Sequence, residues 1–402
     1  MLSSFFTNTS QDFVSQQSGI EALQQQLATG LAVPTAGANP AAFVGAARDT
    51  ADASFLSAET AAQTNVQTRL GAASSALQQA STVLDHIQTI ALQAINGTEG
   101  GADYQALSAQ VGESLQQLIS VGNTQGSNGN YVFAGTAKGT EPFVQNAGGS
   151  VQYFGNDGLS MVKVSPGISV NAALSGSAFT GAMSGNGYTS LAAAASNSGT
   201  ATVLPVGISN QASASTFQQG TQPISLVFSK SASGALVYKA TQGSSSIGSG
   251  AAASGQVLSF AGTEFKLSGT PGSGDSFTIA PARPQTVFAL AQAIQTTLSS
   301  PGNTPALRAL SRQVLGNALA GLEQYQGRVS ATNARVGVVL QTVQHASSAN
   351  AQRSTADQVN AGKLTAADAP AVMAAISQQI SALQAAFKAF GLTASLSVFT
   401  YL

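Results

Sequence analysis

The sequence predicts an α+β protein: long helices at both ends of the chain, with a β-rich segment inserted between them. Three observations carry this reading. Apolar residues recur in steps of three and four near both termini, which is the helical seam period. Between about residues 129 and 285, Gly and Ser dominate and short β-prone runs alternate with turns. The junction between the two patterns is abrupt: NGNYVFAGTAKGTEPF, residues 128–143, places a turn, a β-prone run and a second turn directly after a helical stretch.

The first seam is Phe6, Phe13, Ile20 and Leu27, seven residues apart, with Thr9, Gln16 and Leu23 between them. Two polar residues make it an imperfect heptad stripe. It breaks at LAVPTAGANPAAF, where Pro34, Gly37, Asn39 and Pro40 disfavour a continuing helix. A longer seam follows through Val66, Leu70, Ala73, Leu77, Ala80, Leu84, Ile87 and Ala91, closed by Asn96-Gly97. The small Ala positions permit close helix approach. A third helix carries Leu107, Val111, Leu118 and Val121.

The β-prone runs are YVFAG, SVQYFG, MVKVSPGISV, ISLVFS, ALVYKA, QVLSFAG, EFKLSG and DSFTIA, expected as antiparallel hairpins. After Pro281 and Pro284 the helical period returns with Val287, Leu290 and Ile294. A long seam then runs through Leu315, Leu319, Leu322, Gln326, Val329, Asn333, Val336, Leu340 and Val343. Beyond Gly362 and Pro370 a final helix carries Met373, Ile376, Ile380, Leu383, Phe387, Phe390 and Ala394, and the chain ends SLSVFTYL. Heptads at both ends imply that the terminal regions pair, giving an elongated, coiled-coil-like helical bundle from which the β part projects.

Of the 402 residues, 43% are apolar but only 8% are charged, against roughly 25% in an ordinary soluble protein. So few charges leave little repulsion to keep copies apart, as suits a chain that packs against other chains. The 15 Lys and Arg offset 16 Asp and Glu and are scattered, so no basic patch could track a nucleic-acid backbone. Without Cys there are no disulfides, thiol nucleophiles or thiolate metal sites. The opening MLSSFFTNTSQDFVSQQ lacks a basic n-region and a signal-peptide core, and no segment approaches the ~20 apolar residues of a membrane span. The expectation is a cytoplasmic protein or one exported without a cleaved signal peptide.

Catalytic chemistry finds no support. His86 and His345, the only histidines, lie on helices without a His or carboxylate at i+3 or i+4, so helix-surface or seam positions are expected and no metal or cofactor site is signalled. No G-x-S-x-G elbow occurs. GTPGSGDS, residues 269–276, imitates a phosphate loop in its glycines. Asp275 stands where such a loop needs Lys, so a hairpin turn is the reading preferred.

Several stretches together resemble a known family. NGNYVFAGTAKGTEPF, VQYFGNDG and VKVSPGISV are similar to the segment that follows the second rod helix in the hook-associated protein 3 family of flagellar hook–filament junction proteins, relatives of flagellin. QQQLATGLAVP resembles that family's N-terminal helix end, SATNARVGVVLQTV its returning helix, and AFKAFGLTASLSVFTYL its C-terminal tail. SGTPGSGDSFTIAPA is similar to β modules of hook-associated proteins. The chain departs from the family at Gly30-Leu31-Ala32 and Ala38-Asn39-Pro40, where a basic residue and a Ser-Asp-Asp-Pro run are usual.

The resemblance implies a non-enzymatic structural adaptor that joins hook-associated protein 1 to flagellin. It further implies self-assembly into a ring, an export chaperone, and a flagellar, extracellular location. A flagellin-type filament subunit is the alternative, and an extracellular adhesin a more remote one. The expected layout is an axial helix and loop (1–45), rod helices (46–128), a β-hairpin region (129–181), a β-rich outer domain (182–284), returning rod helices (285–345) and a C-terminal axial helix (346–402). The expected assembly seam is Phe6, Phe13, Ile20, Leu23, Leu27, Ile376, Ile380, Leu383, Phe387, Phe390, Leu396 and Phe399. One isolated helix pair buries too little apolar surface to offset its backbone entropy, so the ends are expected to order only on assembly.

Overall fold

The computed structural model describes residues 2–96 and 101–399, with side chains described for 7–96 and 102–392. Helices occupy both ends and a β-rich segment the middle, the expected class. Two compact units divide the chain. The first comprises Met1–Ala62, Val164–Pro166 and His345–Leu402, and the second Gln63–Lys163 and Gly167–Gln344.

Helix α1 (Leu2–Thr29) stops at Gly30, whose φ of 71° is the left-handed conformation that ends helices. Helix α2 (Pro40–Asn96) begins where Asn39 Oδ1 accepts from the Ala42 N–H at 3.1 Å, with Pro40 at the first helical position. The proline that breaks the preceding segment therefore also starts the next helix. Helices α3 (Gly101–Gly122), α5 (Val287–Ser299), α6 (Pro305–Thr365) and α7 (Ala369–Phe399) complete the long elements, and α4 (Gln211–Gln219) lies inside the β region. Thr286, Thr304 and Asp368 cap α5, α6 and α7 by accepting from the N–H groups of Ala289, Leu307 and Ala371.

In the first unit α1 and α7 run antiparallel. Ala32 N–H donates to Thr365 O and Ala367 N–H to Gly30 O, both at 2.8 Å, joining the segment after α1 to the segment before α7. A buried polar knot lies in the same unit. Asn350 accepts from Ser165 Oγ at 2.8 Å and donates to Glu59 Oε2 and Val164 O at 3.3 and 3.1 Å.

In the second unit the α2 seam from Val66 to Ala91 is sealed at every predicted position. Its partner is α6, where Leu315, Leu322, Val329, Val336 and Val343 are buried. The two polar seam residues of α6 face serines. Ser74 Oγ donates to Asn333 Oδ1 at 2.8 Å and Ser81 Oγ to Gln326 Oε1 at 3.2 Å, while Gln326 also reaches Asp85. Both pairs are seven residues apart, so hydrogen bonds as well as shape set the antiparallel register. Helices α3 and α5 pack together, with Ser108 Oγ donating to Gln295 O at 2.9 Å.

Residues 128–143 do not form the strand expected of YVFAG. Tyr131 and Ala134 make only isolated bridges, to Gln125 and Ser175, and Val132, Phe133 and Ala134 are fully buried. The run is β-prone because its side chains suit burial; here they fill a core without a ladder. Phe133 packs edge-on to Phe179 (5.2 Å between ring centres), and Phe143 meets Tyr153, Phe179 and Phe288 at 5.0–5.5 Å. The Tyr153 hydroxyl accepts from the Gly176 N–H at 2.9 Å, and burial raises its pKa. Arg69 on α2 donates to Val132 O and Gly135 O, fastening the run to the helix.

The other β-prone runs hold strands. A hairpin joins β1 (Phe143–Gln145) to β2 (Val151–Tyr153), and another β3 (Met161–Ser165) to β4 (Ile168–Asn171). Next come β5 (Ala182–Met183), β6 (Thr189–Ala193), β7 (Thr202–Ile208), β8 (Ile224–Lys230) and β9 (Leu236–Gln242). The last are β10 (Ser245–Ala251), β11 (Val257–Phe260), β12 (Thr263–Ser268), β13 (Ser276–Pro281) and β14 (Pro284–Gln285), the last pairing with β5. One antiparallel sheet has the order β10-β9-β8-β13-β6 and a second β11-β12-β7. Their shared core contains Phe217 of α4 with Phe228, Phe260, Phe265 and Phe277.

Residues 269–276 are not a hairpin turn. They carry the chain from β12 in the three-stranded sheet to β13 in the five-stranded one, and residues 194–201 cross back between β6 and β7. Buried Asp275 ties the crossings together. Its carboxylate accepts from the N–H groups of Ser198 (2.7 Å), Gly199 (3.0 Å) and Gly272 (2.7 Å). The acid that argues against phosphate binding is thus a structural acceptor.

Helix α6 holds two sheet edges through side-chain amides. Buried Gln313 accepts from Val203 N–H and donates to Val203 O, each at 2.7 Å, replacing a neighbouring strand for β7. One turn later Asn317 accepts from Leu191 N–H at 3.3 Å and donates to Ser190 Oγ at 3.2 Å, serving β6. Two turns further the Tyr325 hydroxyl accepts from Ala182 N–H at 3.2 Å and donates to Gln285 O. Burial pushes its pKa up to about 12, partly opposed by the Ala182 bond and the Arg328 charge.

Candidate assembly interface

The expected seam lies on α1 and α7, and the structure sorts it into two stripes. On α7 the positions fully or partly buried are Val372, Ala375, Ile376, Gln379, Leu383, Ala386 and Phe390, with Ala375 the one addition to alternating steps of four and three. On α1 they are Thr9, Phe13, Gln16, Gly19, Ile20, Leu23 and Gln26. Phe13 anchors the pair, stacked on Phe387 at 4.4 Å and edge-on to Phe390 at 5.8 Å. Near the middle Gly19 faces Gln379, where an added Cβ would lie 3.3 Å from Gln379 Oε1.

Leu27 departs from the expected seam: it is exposed and Gln26 takes its place. A straight helix drifts relative to a strict seven-residue repeat, so the inward position moves after a few turns. Two glutamines sit at inward positions, and the buried Oε1 atoms of Gln16 and Gln379 accept no hydrogen bond.

Ile380 and Phe387 lie on a second stripe. With Met373 they recur every seven residues, yet they are 39%, 53% and 52% exposed, respectively. Phe387 gives one ring face to Phe13 and leaves the rest uncovered. Ile376, Leu383 and Phe390 are partly buried while Met373, Ile380 and Phe387 are exposed, so α7 carries two apolar stripes, and of the second only Phe387 also touches α1, through Phe13. Val14 on α1 is exposed as well. Phe6, Leu396 and Phe399 lie on α1 and α7, and their side chains are outside the described residues.

The histidines expected on helix surfaces, His86 and His345, are exposed on α2 and α6. Among the described residues no three His, Cys, Asp or Glu side chains group as metal ligands, and no helix is long and apolar enough to cross a membrane. The residues that fasten α6 to the sheets, Gln313, Asn317 and Tyr325, escape an apolar-period reading because they are polar. Their spacing of four and eight is the only sequence signal they leave.

Residues 5–138 match the bacterial flagellin N-terminal helical region. No curated protein sequence matches the chain. Among solved structures, flagellar hook-associated protein 3 of Legionella pneumophila aligns with a TM-score of 0.72 at 24% identity, over 77% of this chain and 96% of that one. Xanthomonas campestris FlgL aligns in one crystal form with a TM-score of 0.69 at 24% identity over 79% and 99%. In another crystal form the values are 0.66 and 25%, over 75% and 98%. The chain has the fold of the flagellar hook–filament junction proteins, within which it carries the flagellin N-terminal helical region.

Proposed function

We propose that the protein is a structural, non-enzymatic adaptor of the bacterial flagellum, joining the hook, through hook-associated protein 1, to the flagellin filament. The observation that carries this reading is the open stripe of α7: among the described residues Met373, Ile380 and Phe387 recur every seven residues and stay 39–53% exposed, with only one face of Phe387 met by Phe13. An exposed heptad stripe is the geometry by which one helix packs on another. Few surface charges allow many copies to approach. A head-to-tail contact of this kind generates a ring or helical array. In this reading the covered stripe (Phe13, Ile20, Leu23, Ile376, Leu383 and Phe390) pairs the ends within one subunit. Ile380 and Phe387, with Met373, then meet neighbouring subunits. In this reading a chaperone shields these stripes until the chain is exported to the flagellum.

The test mixes purified protein with isolated hook–basal bodies that carry hook-associated protein 1, followed by flagellin. The reading predicts a discrete ring at the hook tip, with filament growth only after that ring has formed. Long filaments of this chain alone would favour the filament-subunit alternative. Failure to bind hook tips would contradict the adaptor role.

A further inference from the structure

A head-to-tail array needs two different surfaces on every copy, and the open stripe of α7 is one of them. On the assembly reading above, a second must lie elsewhere in the chain. The first unit offers three helix faces for it. On α1 the large exposed apolar residues among those described are Val14 and Leu27, thirteen positions apart and so on opposite sides of the helix. Near the end of α6 they are Val359 and Leu364, which also diverge, and Leu364 turns towards Gly45 of α2. Neither pair makes a stripe. The first turns of α2 differ. Val44, Ala47, Ala51, Phe55 and Ala58 follow steps of three and four and are all exposed, Val44 at 64% and Phe55 at 50%. On the opposite side Ala46, Ala53 and Leu56 are buried, so the apolar face looks outwards, where a surface helix is ordinarily polar.

The two open faces match in length and shape. Val44 to Ala58 and Met373 to Phe387 each extend about 21 Å, at about 1.5 Å of rise per residue. On α7 three large side chains stand one heptad apart. On α2 the alanines leave hollows between and beside Val44 and Phe55, which lets a second helix seat its large side chains closely. Charge selects the same pair. Lys388 is the only charged residue on α7, and α1, which lies along its other stripe, carries Asp12 and Glu21 with no basic residue. The α2 face is bordered by Arg48, Asp49 and Asp52, one base against two acids. Residues 345–365 of α6 carry Arg353, Asp357 and Lys363, two bases against one acid, and a second α7 would bring a second Lys388. Both would repel where α2 attracts. We propose that the open stripe of α7 docks on the Val44–Ala58 face of α2 in a neighbouring copy of this chain.

The chain has no Cys, so single introduced cysteines report the contact in the full-length protein. Copies carrying Ala51→Cys are mixed with copies carrying Ile380→Cys, at hook tips and at high concentration in solution. A short bifunctional maleimide that tolerates one helical turn of register, about 5.4 Å, joins them. The mixed adduct should exceed several-fold both that of Val359→Cys with Ile380→Cys and that of Ile380→Cys copies with one another. Asp52→Lys in the first copy should weaken the mixed adduct, and Lys388→Glu in the second should restore it, most clearly at low salt. Val44→Ser should lower ring formation several-fold while the melting temperature stays near that of the parent. Absence of the mixed adduct in both settings, or a mixed adduct indifferent to Asp52→Lys, would overturn the contact. So would a predominant adduct between Ile380→Cys copies, or ring formation unaltered by Val44→Ser. Hook binding is read separately on the parent protein. Hook tips bound without the mixed adduct would overturn this contact alone, and the mixed adduct in a chain that ignores hook tips would overturn the adaptor role alone.

Discussion

Two seams in this molecule follow the same heptad grammar and meet different fates. On α2, Leu70, Leu77 and Leu84 stand seven residues apart and are at most 2% exposed. On α7, Met373, Ile380 and Phe387 stand seven apart and are 39–53% exposed. The α2 seam even pairs its polar neighbours, Ser74 with Asn333 and Ser81 with Gln326. The α1–α7 seam leaves Gln16 Oε1 and Gln379 Oε1 buried without a donor. Periodicity announces that a helix face will be covered; what covers it depends on how many helices share the fold. One seam is completed by the chain itself, and the other stays open among the described residues.

The largest expected effect separates the two seams directly. Leu77→Ala should cost about 3 kcal/mol of stability, because a fully buried leucine leaves a cavity. Met373→Ser should change the stability of the free protein by less than about 0.5 kcal/mol. It should nevertheless impair ring formation, and denaturant melts beside an assembly assay would read both. If Met373→Ser destabilised the free chain as much as Leu77→Ala, the distinction would collapse.

Asp275→Ala comes next, at about 3 kcal/mol, since three backbone donors would lose a charged acceptor in a buried crossing. The loss should appear first as amide exchange in β6, β7, β12 and β13, with the α2–α6 seam still protected. Uniform loss across all helices would show that the β region and the seam melt as one.

Tyr325 supplies a pH-dependent test. Its folded pKa is raised to about 12 from the ordinary 10.0, so between these values the folded state holds more protons than the unfolded one. The contribution is complete below pH ~10 and is lost as pH rises through about 12, on the order of 2 kcal/mol. Tyr325→Phe should remove that alkaline slope and also cost about 1–2 kcal/mol at neutral pH by leaving Ala182 N–H and Gln285 O without their partner. An unchanged alkaline profile would place the titration elsewhere.

The smallest effect concerns Ala261. Its left-handed conformation is strained for any residue with a Cβ, so Ala261→Gly should stabilise the protein by up to about 1 kcal/mol. A destabilised variant would mean that the Ala261 methyl is needed in packing.

The helical half of the molecule was readable because an apolar period survives in sequence: every α2 position predicted from Val66 to Ala91 is buried. The β region was readable as strands but not as topology. Pairing partners are non-local, so nothing in GTPGSGDS distinguishes a hairpin from a crossing between sheets. YVFAG was misread because its β-prone residues satisfy burial alone. Helix α4 was missed because eight residues of Gln, Ala, Ser and Thr around Phe217 show no clear stripe, and only Asn210, its N-cap, marks a start. On α7 the residues from Met373 to Phe390 expected as one seam are a mixture, because steps of three, four and seven fit two adjacent stripes equally well. Only the position of α1 tells which stripe is covered.

The terminal helices of the free chain are proposed to be incompletely covered and to become fully covered only on assembly. Hydrogen–deuterium exchange over residues 7–29 and 369–392, compared between the free protein and protein bound at hook tips, measures this most directly. The account predicts rapid exchange in the free chain and strong protection after binding. Equal, strong protection in both states would contradict it.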